Sequence, residues 1–92
     1  MGITLIRMKI MPTSPDVDLE QIKEKTREII KKNKGERIVF EEEPVAFGLK
    51  AIIVNFEQEE SDNAEIEPIE SEMNKLLNVN SVETLDMRRA FG

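Results

Sequence analysis

Three consecutive glutamates, Glu41 to Glu43, are the residues of this sequence whose type comes closest to metal-binding chemistry. Carboxylates bind hard cations through their oxygens, so a run of them raises the question of a cation site. Consecutive residues of a strand point to alternating faces, and these three side chains therefore cannot converge on one ion. The spacing of an EF-hand loop and a glycine-rich phosphate loop are both absent from the sequence. We expect no metal site and no bound cofactor.

The sequence also lacks the side chains that most often perform catalysis. It contains no histidine and no cysteine, which removes the commonest general base, the commonest transition-metal ligand and any thiolate metal site. No histidine is present to activate a serine nucleophile, and nothing indicates a lysine base in its place. The serines concerned are Ser14, Ser61, Ser71 and Ser81. We therefore expect a protein that is not an enzyme.

Residues 41–50, EEEPVAFGLK, combine an acidic run, a proline and an aromatic–glycine pair. Pro44 has no N–H and a fixed φ, so it marks a turn and not the centre of a strand. Gly48, directly after Phe47, is expected to let another backbone approach closely. By residue type Phe47 belongs in the core, because phenylalanine is usually buried. Its place beside an acidic hairpin tip also puts it where a second protein could reach it.

The C-terminal segment DMRRAFG brings two arginines to the end of a strand, with Phe91 in the tail behind them. Strand alternation sends Arg88 and Arg89 to opposite faces. One interpretation is that they protect an edge strand or pair with acidic loops. The other is that they form a cationic probe for a phosphate-rich or carboxylate-rich site on a partner. The residues alone leave both interpretations open.

Length and charge restrict the class of protein. A chain of 92 residues makes one small domain, residues 1–92, with a thin core and little room for a deep pocket. The net charge of −6 argues against nucleic acid or an anionic membrane as the main partner. No apolar run approaches the roughly 20 residues of a membrane span, and the N-terminus has no signal-peptide pattern. We expect a cytoplasmic protein.

The elements that must position these residues follow from hydrophobic periodicity and turn residues. Asp16 or Asp18 can cap the first helix, and Asp18 with Gln21 resembles a capping box. Gly35 is expected at the left-handed position that ends this helix. Pro68 must lie in the first turn of the second helix, where its missing N–H is tolerated. The predicted elements are a strand at 3–11, a helix from residue 19, a hairpin of strands 36–43 and 48–57, a helix at 65–78 and a strand at 80–89.

The two halves of the chain share this architecture at a displacement of 47 residues. The apolar helix stripe Leu19, Ile22, Thr26, Ile29 and Ile30 has the spacing of Ile66, Ile69, Met73, Leu76 and Leu77. The same shift lays strand 3–10 on 50–57 and strand 36–43 on 83–90. Two interleaved β-α-β units predict an α+β protein with the ferredoxin-like split β-α-β plait, βαββαβ. Its four-stranded antiparallel sheet has strand order 4-1-3-2, with both helices on one face and the other face open.

Three segments of the sequence resemble a known family. They are MPTSPDVDLE (11–20), EEEPVAFGLKAI (41–52) and SVETLDMRRAFG (81–92). The chain resembles the archaeal elongation factor 1-beta family almost from end to end, and these are guanine-nucleotide exchange domains for elongation factor 1-alpha. The resemblance implies the ferredoxin-like plait, in agreement with the repeat. It also implies a translation factor that replaces GDP by GTP on that GTPase and so regenerates the GTP form for aminoacyl-tRNA delivery.

The resemblance implies roles for particular residues. The motif P-x-x-F-G-[LI]-K covers Pro44 to Lys50, and its aromatic, here Phe47, docks in a pocket of the GTPase in the eukaryotic domains. Phe47, Gly48 and Lys50 are therefore expected to contact the partner. A lysine near the C-terminus of those domains reaches toward the magnesium site of the GTPase, which itself holds the nucleotide and the metal.

A gapless alignment from Ser81 places that lysine on Arg89. The chain departs from the family here, because arginine replaces lysine and the tail extends further, through Phe91 to Gly92. Arginine is a wide planar fork and not a compact charge, so Arg88 is a rival for the role. We expect Arg88, Arg89 and Phe91 to contact the partner as well.

The predicted plait places the hairpin at Pro44 and the end of the last strand at opposite ends of the sheet, about 25 Å apart. A partner that touches both must lie along the sheet, across its open face or an edge. Two other classes compete with an exchange factor. One is a small regulatory or ligand-binding module that dimerises through sheet edges. The other is an RNA-binding plait, which needs exposed aromatics and basic charge that this sequence does not supply.

Overall fold

The computed structural model describes residues 2–59 and 67–91, and within them the predicted succession of elements is confirmed. Each apolar run forms a strand, and each stripe of helical period forms a helix, because that is the only way each segment can bury its apolar side chains together. The elements are β1 (Ile3–Pro12), α1 (Leu19–Lys32), β2 (Gly35–Pro44), β3 (Lys50–Glu59), α2 (Glu67–Asn74) and β4 (Val79–Phe91).

The four strands form one antiparallel sheet in the order β2-β3-β1-β4. Read from the opposite edge, this order is 4-1-3-2. The two central strands, β1 and β3, pair from Ile3–Glu59 to Ile10–Ile52. The architecture is thus an α+β plait of four antiparallel strands and two helices, as the sequence predicted.

The core lies between the helices and one face of the sheet. On the central strands it contains three directly opposed pairs of buried side chains: Ile6 with Phe56, Met8 with Val54, and Ile10 with Ile52. Both helices pack on this same face, α1 through Ile22, Ile29 and Ile30 and α2 through Ile69 and Met73. The other face of the sheet is left without a covering layer among the described residues.

The start of α1 follows the sequence prediction, but its end does not. Asp18 is the N-cap, and its Oδ1 accepts a hydrogen bond from the backbone N–H of Glu20 at 3.1 Å. At the other end Asn33 is the C-cap, and Lys34 takes the left-handed conformation with φ 67°. The prediction that Gly35 holds that position is wrong. Gly35 begins β2, and a Cβ built on it would lie 2.3 Å from Cγ2 of Ile30, so glycine is required there for close packing.

The helix α2 is shorter than the predicted span of 65–78. Pro68 lies in its first turn, as expected, while Ile66 falls outside the described residues. The helix ends at Asn74, after which the chain tightens into a turn in which Leu76 N–H donates to Met73 O at 3.2 Å. Leu77 therefore leaves the apolar stripe and is 83% exposed, whereas its counterpart in the first half, Ile30, is fully buried.

Both edge strands are irregular. In β2 the register with β3 shifts between Glu36 and Val39, where Arg37 adopts a left-handed φ of 55°. The register of β4 against β1 shifts at three places. Such bulges re-aim side chains and disturb the row of hydrogen-bonding groups that another strand would need.

Candidate functional site

The strand register places the two predicted contact regions at opposite ends of the sheet. Near one end Ile10 pairs with Ile52 and with Val82, next to the β2–β3 turn. Near the other, Thr4 pairs with Gln58 and with Arg89. We call these the turn end (residues 44–50 with the loop 12–18) and the arginine end (residues 86–89 with residues 4 and 5). The longest dimension of the molecule is 42 Å, so only an extended surface can contact both.

At the turn end, Phe47 occupies a tight left-handed turn between β2 and β3. Its φ and ψ are 63° and 30°, and Gly48 follows with φ 75°. This succession is typical of a type I′ hairpin turn, whose first central position is normally Asn, Asp or Gly. The turn is closed by Leu49 N–H donating to Ala46 O at 3.3 Å and by Val45 N–H donating to Leu49 O at 2.8 Å. A phenylalanine here costs about 1–2 kcal/mol of backbone strain.

No burial of the Phe47 ring offsets this strain. It is 92% exposed, the most exposed of the large apolar side chains in the described residues. The expectation from residue type, that Phe47 lies in the core, is therefore wrong, because the turn geometry directs the ring away from the sheet. A short, hydrogen-bonded turn thus presents an apolar ring to solvent. Such an arrangement is typical of a residue that docks into an apolar pocket of a partner.

Glycine is needed at position 48 for a different reason from the one predicted. A Cβ built on Gly48 would meet Pro15 ring carbons at 4.0 Å and no closer atom among the described residues, so no backbone approaches it closely within the fold. The constraint is its φ of 75°, a backbone conformation that residues with a Cβ atom rarely adopt and that glycine adopts freely. Gly48 thus keeps the turn in the form that exposes Phe47.

A shallow groove of about 210 Å³ lies beside this turn. Its walls come from Pro12 at the end of β1, from Pro15 in the loop that follows, and from Gly48, Lys50 and Glu42 of the hairpin. The side chain of Lys50 is exposed at its rim. The structure therefore brings Phe47, Gly48 and Lys50 together on one end of the molecule, next to the proline loop that the resemblance also covers.

A salt bridge fixes the hairpin against α1. Lys23 Nζ donates to Glu42 Oε2 at 2.8 Å and to Glu20 Oε2 at 2.9 Å. The hydrogen bond from Lys23 lowers the pKa of Glu42, and the bonds to Glu42 and then Glu20 raise the pKa of Lys23. The acidic run is therefore structural in part. Its middle carboxylate connects sheet to helix, and Glu41 accepts instead from the Asn55 amide at 3.3 Å.

At the arginine end the two arginines lie on different faces, as strand alternation predicted. Arg88 is opposite Leu5, on the open face, and its Nη2 and Nε contact Asp86 Oδ2 at 2.8 and 3.0 Å. Arg89 is opposite Thr4, and its side chain is exposed. Phe91 lies in β4 opposite Ile3, while the surroundings of its side chain lie outside the described residues.

The described residues contain no arrangement for metal chemistry. Within residues 2–59 and 67–91, no group of three or more acidic side chains is placed to hold a metal ion. The triplet Glu41 to Glu43 alternates across the strand, with Glu41 opposite Ile53 and Glu42 opposite Ile52. None of the helices in this part of the chain is long and apolar enough to cross a membrane.

Sequence reasoning missed one feature of the site region. Arg7 and Arg37 were not singled out, yet the sheet brings both to the open face near Arg88, in a groove of about 360 Å³. Strand alternation could have placed Arg7 there, because it is an odd-numbered residue of β1 like Leu5. Nothing in the sequence signals the bulge that turns Arg37 the same way.

The chain is similar to a known family along most of its length. The model of the EF-1 guanine nucleotide exchange domain family matches residues 5–90. A protein named elongation factor 1-beta from Methanocaldococcus jannaschii is 41% identical over 90 residues, covering 98% of this chain and 100% of that protein. One of the same name from Methanococcus maripaludis is 39% identical over 87 residues, covering 95% and 97%. A third, from Methanosphaera stadtmanae, is 40% identical over 82 residues, covering 89% and 90%.

Proposed function

Because the chain belongs to the EF-1 guanine nucleotide exchange domain family and is a nucleotide exchange factor for elongation factor 1-alpha, we propose how its structure performs the exchange. Phe47 docks in a pocket of the GTPase at the turn end. The arginine end acts on the region of the GTPase that holds magnesium and phosphate. The partner lies along the sheet between them, GDP leaves, and GTP takes its place.

The observation that carries this proposal is the geometry of Phe47. The strained backbone of Phe47 lowers the stability of the free protein, and burial of the exposed ring in an apolar pocket adds favourable hydrophobic energy on binding. The hydrogen bonds of the turn hold the ring in place before binding. Docking then costs little conformational entropy, which leaves more of the binding energy for displacing the nucleotide.

The arginine end supplies charge. A guanidinium near a site that holds Mg²⁺ repels the metal, and displacement of the metal weakens nucleotide binding without any covalent step. Arg89 takes this role by its position in the strand, because the gapless alignment from Ser81 places the lysine of the eukaryotic domains there. In this account the chain is not an enzyme, and no cofactor of its own takes part.

The fold supports such a spanning contact. We assign the plait to the ferredoxin-like split β-α-β class on its strand order and on the packing of both helices on one face. With the helices on one side, no described residue forms a second layer on the opposite face, which leaves that face to a partner along the length of the sheet. The place of action is the cytoplasm, where translation occurs.

The test is release of a fluorescent GDP from a purified archaeal elongation factor 1-alpha with and without the chain. The chain should accelerate release in proportion to its concentration until the GTPase is saturated. Thermodynamic linkage adds a second readout, because a factor that weakens GDP binding must itself bind the nucleotide-free GTPase more tightly than the GDP form. Equal release rates with and without the chain, or equal affinity for both forms, would contradict the proposal.

A further inference from the structure

A groove of about 360 Å³ crosses the open face of the sheet toward the arginine end. The strand register arranges its residues in two rows across the sheet. One row runs Val39, Asn55, Arg7 and Asp86, and the next runs Glu57, Leu5 and Arg88. Arg37 enters the groove beside the second row from the bulge of β2. Each row thus contains one apolar side chain, Val39 or Leu5, among polar ones, and no other element of the described chain covers this surface.

The charge of the groove differs from that of the protein. It contains three arginines, at positions 7, 37 and 88, and two acids, Glu57 and Asp86, whereas the whole chain has a net charge of −6. Both acids are already engaged, since Arg37 Nε lies 3.4 Å from Glu57 Oε1 and Arg88 Nη2 lies 2.8 Å from Asp86 Oδ2. Arg7 makes no ion pair within 4.0 Å with another described residue, although Asp86 is opposite it in the register. One further carboxylate would balance the set.

The backbone of Arg37 indicates that its position matters. With φ 55°, Arg37 is in the left-handed region, a conformation that strains an arginine but not a glycine. Its side chain remains largely exposed, so the single contact with Glu57 is a surface ion pair and offsets little of that strain. Backbone strain that contacts within the fold do not offset is typical of functional positions, and here it favours a contact of Arg37 with a partner.

The apolar part of the groove favours a protein partner. Leu5 and Val39 flank the arginines and are 38% and 57% exposed. Apolar side chains on either side of a guanidinium exclude water once a partner covers them, and this strengthens the charged hydrogen bonds between them. Stacking of nucleic-acid bases would need exposed aromatic rings, and none of the residues facing the groove is an aromatic with its ring in solvent.

We propose that this groove binds an aspartate or glutamate side chain protruding from the GTPase, with Arg7 as its bidentate partner and Leu5 and Val39 packing around the ion pair. The guanidinium fork matches a carboxylate in two parallel hydrogen bonds. This inference rests on the proposed function. It adds a third contact region, on the open face, to those at the two ends of the sheet.

The experiment compares Arg7→Glu with Lys31→Glu in the release of fluorescent GDP from the GTPase, over a series of concentrations of the chain. Lys31 is exposed on α1, on the other side of the sheet, so both variants change the net charge equally. Arg7→Glu should raise the half-saturating concentration roughly tenfold or more, because a like charge then faces the partner carboxylate. Its maximal release rate should stay unchanged, and Lys31→Glu should match the unmodified chain. Urea denaturation verifies folding, and Arg7→Gln replaces Arg7→Glu if the charge reversal prevents folding.

The outcomes separate the two proposals. If neither the unmodified chain nor Lys31→Glu accelerates release, the proposed function fails. If both accelerate it and Arg7→Glu follows the same curve, the groove does not bind the GTPase. The assay contains no RNA, so a loss in it assigns the partner to the GTPase. An Arg7→Glu variant with normal exchange but weakened binding to an RNA oligomer would overturn the inference in favour of nucleic acid.

Discussion

At the scale of single residues, Phe47 holds an unfavourable backbone conformation and a side chain that the fold does not bury. Replacing it by glycine should relieve the strain at φ 63° while removing no packing. We expect Phe47→Gly to raise the free energy of unfolding by up to about 1 kcal/mol, less than the full strain because glycine also gains entropy in the unfolded chain. Urea denaturation of both proteins measures the difference.

The control for that variant is Phe40→Gly. Phe40 lies in the regular part of β2, packs against the core and has the Arg27 guanidinium 5.3 Å from its ring centroid. The same substitution there should destabilise the protein by about 3 kcal/mol or more. If Phe47→Gly were equally damaging, the ring of Phe47 would have contacts in solution that this structure does not contain, and a docking role would lose its basis.

Arg88 and Arg89 are neighbours in sequence but should differ in kinetics. Arg89→Ala is expected to lower the maximal rate of GDP release, because in the proposed mechanism the Arg89 charge acts on the nucleotide site of the bound GTPase. Arg88→Ala should instead raise the half-saturating concentration, because Arg88 belongs to the open-face groove. Arg89→Lys serves as the conservative control and should retain the maximal rate. Equal effects of the two alanine variants on both parameters would contradict the separate roles.

The placement of the candidate site residues on turn and strand was predictable from the sequence, but the environment of their side chains was not. The pair Phe47-Gly48 indicated a turn, yet residue type favoured burial, because only the left-handed turn sends the ring outward. Arg88 and Arg89 were assigned to opposite faces by alternation alone, which needs no tertiary information. Arg37 could not be found, since a bulge depends on how two strands pair and leaves no mark at a single position.

At the scale of elements, the two glycines near the ends of β2 have different functions, and alanine should distinguish them. Gly35→Ala places a Cβ 2.3 Å from Ile30 Cγ2 and 3.1 Å from the Ile30 carbonyl oxygen. Because Ile30 is fully buried and cannot move aside, we expect a loss of about 1–3 kcal/mol in the free energy of unfolding. Calorimetry or urea denaturation measures it.

The matched variant, Gly48→Ala, meets no atom closer than 4.0 Å and should cost about 1–2 kcal/mol through its φ of 75° alone. A second substitution separates the causes. Ile30→Leu removes Cγ2, the atom that a Cβ at position 35 would meet, while it keeps the side-chain volume. In that background the penalty of Gly35→Ala should fall, and that of Gly48→Ala should stay unchanged. Penalties that respond equally to Ile30→Leu would refute the assignment.

The salt bridge between α1 and the hairpin should make stability depend on pH. The pKa of Glu42 is lowered from its ordinary value of 4.5, so its stabilising contribution is present above pH 4.5 and is lost as the pH falls through the lower folded-state pKa. The pKa of Lys23 is raised above 10.5, so its contribution is present below pH 10.5 and is lost as the pH rises through the higher folded-state pKa.

We expect Glu42→Gln to flatten the acid limb of the stability curve, by an amount on the order of a few tenths of a kcal/mol for so exposed a pair. Glu41→Gln is the control, since the Glu41 carboxylate accepts from the Asn55 amide and not from an ammonium group. The measurement is urea denaturation between pH 3 and pH 7, at low salt. An acid limb that Glu41→Gln flattens as much as Glu42→Gln would show that the Lys23 bridge is not responsible.

Element boundaries show where sequence patterns stop being sufficient. The apolar stripe of α2 continues to Leu77, and periodicity alone extends the helix with it. The chain leaves the helix at Asn74 because β4 must begin at Val79, with Asn78 in a left-handed conformation at φ 69°. In the same way Lys34, and not the more permissive Gly35, makes the left-handed turn after α1, since Gly35 is needed where β2 passes Ile30.

At the scale of the whole molecule, the repeat displaced by 47 residues was enough to predict the sheet. The two β-α-β units carry helices with the same apolar spacing. Both helices can bury their apolar side chains on one sheet if the two units interleave, and this places β1 and β3 at the centre. The bulges of the two edge strands were not predictable in this way. They make edge-to-edge dimerisation unfavourable, and this weighs against the regulatory module that was the main alternative.

The same topology explains how a small protein can act on a large partner. The turn end and the arginine end lie at opposite ends of the sheet in a molecule 42 Å long, and the paired strands between them fix their distance. In the proposed complex, a GTPase held by Phe47 at one end meets the arginines at a defined place at the other. The central claim of the proposed function is that the chain acts by positioning on a fixed scaffold and not by chemistry of its own.

Release of fluorescent GDP from elongation factor 1-alpha, measured over a series of concentrations of the unmodified chain and of Phe47→Ala, tests that claim most directly. Since the ring is 92% exposed, Phe47→Ala should fold with unchanged stability, so any loss belongs to binding. We expect the half-saturating concentration to rise roughly thirtyfold or more, as for a central aromatic of an interface. Superimposable curves for the two proteins would contradict the account.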